Sequence, residues 1–392
     1  MRRAALMIGL IFLVAACSPR SGTTDAPSAT PPAVTSPAAT TESTAPPTVH
    51  TTAAGGGAIG TLLAATPELA ADRSDDFFLS FGDIARASEA VGLARPTSVL
   101  DIAAVKKWLL TLSGIEGDDA GRGLRFEFPK VFATVKFAQL TSVHDELGWT
   151  ILDVDRYLSL HAGDTGYSVM QGRVAPQSLD TAMGPAVNGV WRLGADDNGR
   201  DMKHRSAARP NGEFLRFGLS DGLLAVARST PVITHFLGGS APSLADDPGL
   251  EAVAKALDSA QVYTATLLTS RHTKGLPSTL PAAADLAAKK LLMRPFDTMA
   301  IGVAVGADGS IVTFAYHQAD AATAAANAKI LANILATAQI SADGKPYTDL
   351  LQPATITTDG ATLIATAYLQ PGLRPDRAFD LALENELVDV HS

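Results

Sequence analysis

Apolar and polar positions divide the chain into three regimes. An unbroken apolar run from Ala4 to Val14 follows Met1-Arg2-Arg3, and Ser18 to about Gly60 then carries almost no large apolar residue. From Leu62 onward apolar residues recur with the periods of strands and helices. Within this third regime, Asp221-Gly222, Asp308-Gly309 and Asp359-Gly360 each separate two apolar runs. Asp-Gly in that setting predicts a tight hairpin, because a turn that matches strand twist needs positive φ at both central residues. A helical segment follows each hairpin: Val232–Leu237, an Ala-rich stretch at Ala319–Ala338, and Arg377–Leu387. Ahead of the first hairpin, "GYSVMQGRV" reads as a strand, "APQSLDTAMG" as a short helix, and the surroundings of Trp191 as a strand.

Farther upstream, "DDFFLSFGDIARASEAVGL" alternates and then turns helical, with Gly92 as the stop. In "TSVLDIAAVKKWLLTL" the residues Ile102, Val105, Leu109 and Leu112 share a helix face, Ser98 and Asp101 are placed as a capping box, and Trp108 is expected in the core. Gly114 to Gly123 reads as a polar loop, and "RFEFPKVFATVKF" as extended or mixed. Asp247 is placed to cap a helix with Pro248 at its first position and Leu250, Val253, Ala254 and Leu257 on its buried side. The pattern predicts an α+β fold of duplicated strand/hairpin–helix units, with helices packed on curved antiparallel sheets. The repeating units fall near 150–245 and 255–390, and the expected division of the folded body is 61–245 and 246–392.

The amino terminus carries an address. A basic end, an apolar run of about eleven residues and small residues before a cut make a secretory signal, too short for a bilayer span of roughly twenty. Val14-Ala15-Ala16-Cys17 resembles the bacterial lipoprotein box, which implies cleavage after residue 16 and acylation of Cys17, the one cysteine in 392 residues. The partner so implied is the membrane, through a diacylglyceryl and acyl anchor, with the body on the extracytoplasmic face. Residues 17–60 are then a Ser/Thr/Pro/Ala-rich tether, reaching on the order of 130 Å as polyproline or roughly 35 Å as a coil. Inside it "GGGAIG", Gly55 to Gly60, satisfies a dinucleotide-site pattern, but no strand precedes it and it is read as the end of the linker. A lone cysteine excludes disulfides within the chain, so the body must rest on its hydrophobic core. The formal charge of −9 opposes nucleic acid as a partner.

Candidate chemistry is sparse. The histidines at 50, 144, 161, 204, 235, 272, 317 and 391 include no pair at the helical spacing of a metal site, and no metal or other cofactor is expected. No G-x-S-x-G elbow, S-x-x-K, P-loop or complete EF-hand is present. "DDNGRD", Asp196 to Asp201, approaches a calcium loop but places Arg200 at a ligand position, and is read as a solvated turn. In "GWTILDVDRYL", Asp153 and Asp155 would share a face on a strand, where they are the candidate ligand-binding or acid/base pair. The competing reading makes Asp153 the cap of a helix holding Val154, Tyr157 and Leu158, with Asp155 in its first turn. Asp83 in "SFGDIAR" is read as a cap as well.

"FFLSFGDIARASEAVGL" followed by "ELGWTILDVDRYL" and a Gly-Asp hairpin resembles a group of uncharacterised actinobacterial lipoproteins. That group pairs an early F-x-D-W with a later D-V-D-W. Here Ile84 and Arg156 stand where the tryptophans would be, so any stacking role for those tryptophans is lost. The resemblance implies a lipoprotein without an assigned activity, and no catalytic residue comes with it. The expected function is a non-enzymatic binding or scaffold protein of the cell envelope, with an envelope protein or a glycan as partner. Its alternatives are a carrier of lipid or a small apolar ligand, and a hydrolase using scattered carboxylates.

Overall fold

Alternating apolar residues build one large sheet. The computed structural model describes residues 57–68, 78–113, 129–132, 135–162, 165–239, 242–269, 289, 291–339 and 344–383. The strands are β1 (Phe78–Asp83), β2 (Val154–Ala162), β3 (Thr165–Gly172), β4 (Val190–Leu193), β5 (Leu215–Ser220), β6 (Leu223–Ala227), β7 (Thr264–Thr269), β8 (Phe296–Gly306), β9 (Gly309–Gln318), β10 (Thr355–Asp359) and β11 (Thr362–Tyr368). They form an 11-stranded sheet in the order β10-β11-β9-β8-β7-β1-β2-β3-β6-β5-β4, every pair antiparallel. The helices are α1 (Ala58–Ala64), α2 (Ile84–Ala90), α3 (Ile102–Leu112), α4 (Leu140–Leu147), α5 (Pro176–Met183), α6 (Thr230–Gly238), α7 (Pro248–Ser259), α8 (Ala321–Thr337) and α9 (Asp376–Leu383).

The strand order is a mirrored repeat. β1-β2-β3, a helix, and the β5–β6 hairpin whose second strand joins β3 are matched by β7-β8-β9, a helix, and the β10–β11 hairpin whose second strand joins β9. Each half is preceded by a helix, α1 or α7, and β1 pairs with β7 at the centre. The fold is therefore α+β with duplicated strand/hairpin–helix units, as the pattern predicts. Since one continuous sheet crosses the join, the described residues form one compact unit.

Two layers of helix cover the sheet. On one face α1, α6 and α7 bury Ile59, Leu62, Leu63, Ile233, Phe236, Val253 and Leu257 against the strands. On the other, α2 to α5 and then α8 and α9 bury a larger core around Trp108, Trp149, Tyr157, Phe217, Phe314 and Tyr316. Trp108 donates its indole N–H to Ser88 Oγ at 3.0 Å, which satisfies its one polar atom inside that core. Asp83 caps α2 through the Arg86 N–H, and Asp247 caps α7 through the N–H groups of Gly249 and Leu250.

Local readings differ from the structure in four places. Val154 to Leu158 belongs to β2, not to a helix: Asp153 instead closes a one-turn 3-10 helix at Ile151–Asp153, in a capping box with Thr150. Competition from β1 and β3 on either side decides that segment. Asp101, not Ser98, is the N-cap of α3, and Ile102 points outward, 45% exposed. Asp221 and Gly222 both have positive φ, as expected, but the second hairpin turns on Ala307-Asp308 and the third on Gly360-Ala361. Finally, the end of "GGGAIG" is not linker, because Gly57 is the N-cap of α1 and Ile59 is fully buried.

Candidate functional site

The expected site residues fall in different settings. Cys17 and the tether up to residue 56 lie outside the described residues. Asp153 accepts the Thr150 N–H at 2.8 Å, and Asp155 binds Arg95 at 2.7 Å. A β-bulge between Val154 and Arg156 takes Asp155 out of the ladder, so the two carboxylates do not form the regular same-face pair of a flat strand. Both are engaged within the fold. The two segments that carry the family resemblance do meet: Asp83 and Arg156 are register partners across β1 and β2, with Arg156 Nε 3.8 Å from the Asp83 carboxylate.

"DDNGRD" is an exposed turn, as read, and its Asp197 also ties it to the sheet. Asp197 accepts from Arg216 Nε at 2.8 Å, from the Thr230 N–H at 2.9 Å and from the Thr230 hydroxyl at 2.7 Å. Arg216, 1% exposed on β5, also donates to the carbonyls of Gly194, Leu215 and Ala195. Burial raises the Asp197 carboxyl, but the hydrogen bonds from Thr230 and Arg216 and the arginine charge together hold it below its ordinary value. This network fixes the start of α6 to the sheet.

A groove of about 370 Å³ opens between α7 and the β9–β11 strands. Pro248, Ala252, Lys255 and Ser259, about one turn apart, put one side of α7 along its wall. Its floor includes a row of side chains set by strand register, Asp359–Thr362–His317, which continues to Thr298 on β8. His317 Nδ1 lies 2.8 and 3.1 Å from the two carboxylate oxygens of Asp297. A carboxylate only accepts, so Nδ1 carries the donated proton, and Nε2 is the ring atom left to hydrogen-bond a bound molecule. Lys255 and Asp359, each more than two-thirds exposed, pair at 3.0 Å beside it, and Glu251 lies on the wall. The lining mixes small apolar surface with hydrogen-bonding groups of both signs.

None of these groove residues is signalled by local spacing. His317 and Asp297 lie twenty residues apart and meet only because β8 and β9 are neighbours. The available signal is alternation: on β9, His317 falls on the same face as Ala315 and Thr313, which marks it as inward-facing.

A second polar cluster crosses the opposite face at the centre of the sheet. Thr266, Ser80, Ser159 and Ser168 stand in one register row across β7, β1, β2 and β3, all buried. Ser80 Oγ lies 2.9 Å from His161 Nε2, and Ser159 Oγ is 2.8 Å from Ser168 Oγ. His161 stacks on Phe78 with ring centroids 4.3 Å apart. At 2% exposure Ser80 is closed to a substrate, and the row reads as a self-satisfied buried network. Among the described residues no group of three or more His, Cys, Asp or Glu is placed to hold a metal ion, and no helix is long and apolar enough to cross a membrane.

No protein-family model and no curated protein matches the chain. Among solved structures, crystal forms I and III of TP0453 align with 83% of this chain and 97% of that one, at 9% identity and TM-scores of 0.35 and 0.31. A likeness of that order carries no argument about activity.

Proposed function

We propose that the chain is a lipid-anchored binding protein of the cell envelope. Acyl chains on Cys17 hold it to the membrane, a tether sets it off from the extracytoplasmic face, and the groove beside α7 holds its partner. The observation that carries the binding role is that groove: an open cleft whose His317, Glu251 and Asp359 offer hydrogen-bonding and charged groups to an incoming molecule. Asp153 and Asp155 do not line it. The address rests on the basic–apolar–small leader ahead of one cysteine.

Two measurements test the two parts. Crosslinking in intact cells should trap a reproducible adduct on the wild-type chain that Ala252→Arg, placed in the groove wall, no longer forms. Adducts unchanged by Ala252→Arg would move the binding surface elsewhere, and no adduct under any growth condition would remove the role. Mass spectrometry of protein from its native host should find the mature chain beginning at Cys17 with a glyceride on sulfur. An uncut leader or a free thiol would remove the anchor.

A further inference from the structure

The internal repeat identifies the kind of partner the groove fits, given the binding role proposed above. Aligning the two hairpins on their turns equates Ser220–Leu223, Gly218–Ala225 and Arg216–Ala227 with Asp359–Thr362, Thr357–Ile364 and Thr355–Thr366. All six pairs face the same side of the sheet, the side of α1, α6 and α7. In the first half that surface is covered by α6, which sets Ile233 against Gly218 so closely that a Cβ at Gly218 would lie 2.7 Å from the Ile233 methyl. In the second half the helix after the hairpin, α9, packs into the core of the opposite face instead. Among the described residues α8 packs on β10 and β11 from the opposite side, but no helix covers this face of the two strands: Thr355, Thr357 and Asp359 are exposed, and Ile364 and Thr366 half-buried.

We infer that this uncovered surface takes an amphipathic α-helix of a partner protein, laid over β10 and β11 with α7 as its side wall, in the place α6 occupies in the sister half. Three features set its chemistry. The wall spans the 12 residues of α7, about 18 Å, enough for roughly three turns of a second helix. Ile364 on the floor with Ala252 on the wall gives the apolar surface such a helix must bury. Glu251 and Asp359 outnumber Lys255, so the helix carries basic residues along its flanks. The Lys255–Asp359 pair is exposed and worth about 0–1 kcal/mol, so an incoming arginine can take Asp359 at little cost. A partner strand would instead add at the free edge of β10 and leave the groove open.

The test uses the full chain in the membranes of its native host, with p-benzoylphenylalanine in place of Thr357 on the floor, of Lys255 on the wall, and of Val187, an exposed position of the first half, as control. Thr357 and Lys255 adducts should map to the same segment of one protein, basic and apolar with a 3.6-residue period, and the Val187 adduct should not. A synthetic peptide of that segment should gain helical circular dichroism on binding and lose at least tenfold in affinity to Thr357→Arg and Ala252→Arg, variants whose melting should stay near wild type because Thr357 is exposed and Ala252 lies on the open side of α7. Adducts to a glycan, a lipid or an extended segment would overturn the helix and leave the binding role standing. Absence of any adduct at Thr357 and Lys255 would overturn both.

Discussion

α1 is docked on α7 through Asp258, and a substitution there tests that docking. On α7, the Asp258 carboxylate accepts the Ile59 N–H at 2.9 Å and the Gly60 N–H at 3.1 Å, two of the amides that a helix start leaves without partners. At the other end, the buried Tyr167 hydroxyl donates to the Ala65 carbonyl at 2.9 Å. Ile59, Leu62 and Leu63 are fully buried, which contributes on the order of 6 kcal/mol at about 2 kcal/mol for each side chain. That sum is large enough to keep α1 docked when its cap is removed. Asp258→Ala therefore measures the cap alone. Two hydrogen bonds to a charged acceptor contribute about 1.5–3 kcal/mol each, offset by the cost of holding a carboxylate away from water. The net expected loss is about 2 kcal/mol, read as the shift in urea-unfolding free energy. Hydrogen exchange reports it locally, with protection at the Ile59 and Gly60 amides falling by about 30-fold, the factor that about 2 kcal/mol represents. Burial raises the Asp258 carboxyl above its ordinary value, against the lowering effect of the α1 amides and the Arg156 charge. Folding thus takes up a proton there: its linked stabilisation is full below the ordinary carboxylate value and is lost as pH rises through the raised one. Asp258→Asn should remove that slope. An unchanged unfolding free energy together with unchanged exchange at both amides would refute the reasoning.

Further outcomes follow from the same geometry. Arg216→Met should cost about 3–5 kcal/mol in urea unfolding, because Asp197 and three carbonyls lose a buried donor together; Arg216→Lys should recover only part, lacking the planar fork. Because Asp197 is held below its ordinary value, its contribution is present above the ordinary carboxylate range and is lost as pH falls through the lowered one, so the acid limb of the stability curve should flatten in Asp197→Asn. Gly218→Val should destabilise by about 1–3 kcal/mol through overpacking against Ile233, seen as a lower Tm. Asp153→Ala, at a capping box, should cost about 1 kcal/mol in Tm measurements, and Asp155→Ala less, its pair with Arg95 being partly exposed; neither should change crosslinking through the groove.

Much of the fold is written locally. Alternation and Asp-Gly turns locate the hairpins, and the Asp-Pro start of α7 and the run of α8 follow from capping and helical period. Where neighbours compete with local preference, the sequence misleads: Val154–Leu158 becomes a strand because β1 and β3 flank it, and Ala58–Gly60 becomes helix because α7 supplies a carboxylate and an apolar surface. The candidate groove is less legible still, because its groups are separated along the chain and meet only across strands. Asp297 and His317 carry no local motif, and Asp359 is marked only as a hairpin residue; register gathers them.

By itself, then, the sequence determined an apolar run ending near one cysteine, a Ser/Thr/Pro/Ala-rich stretch after it and a duplicated series of strands and helices, since each depends on residues a few positions apart. Only the tertiary structure decided that the two repeats share one sheet, that α6 and α9 go to opposite faces, and that among the described residues no helix covers β10 and β11 on the α7 side. Those outcomes depend on which apolar faces meet at long range, and periodicity within a segment carries no information about its partner.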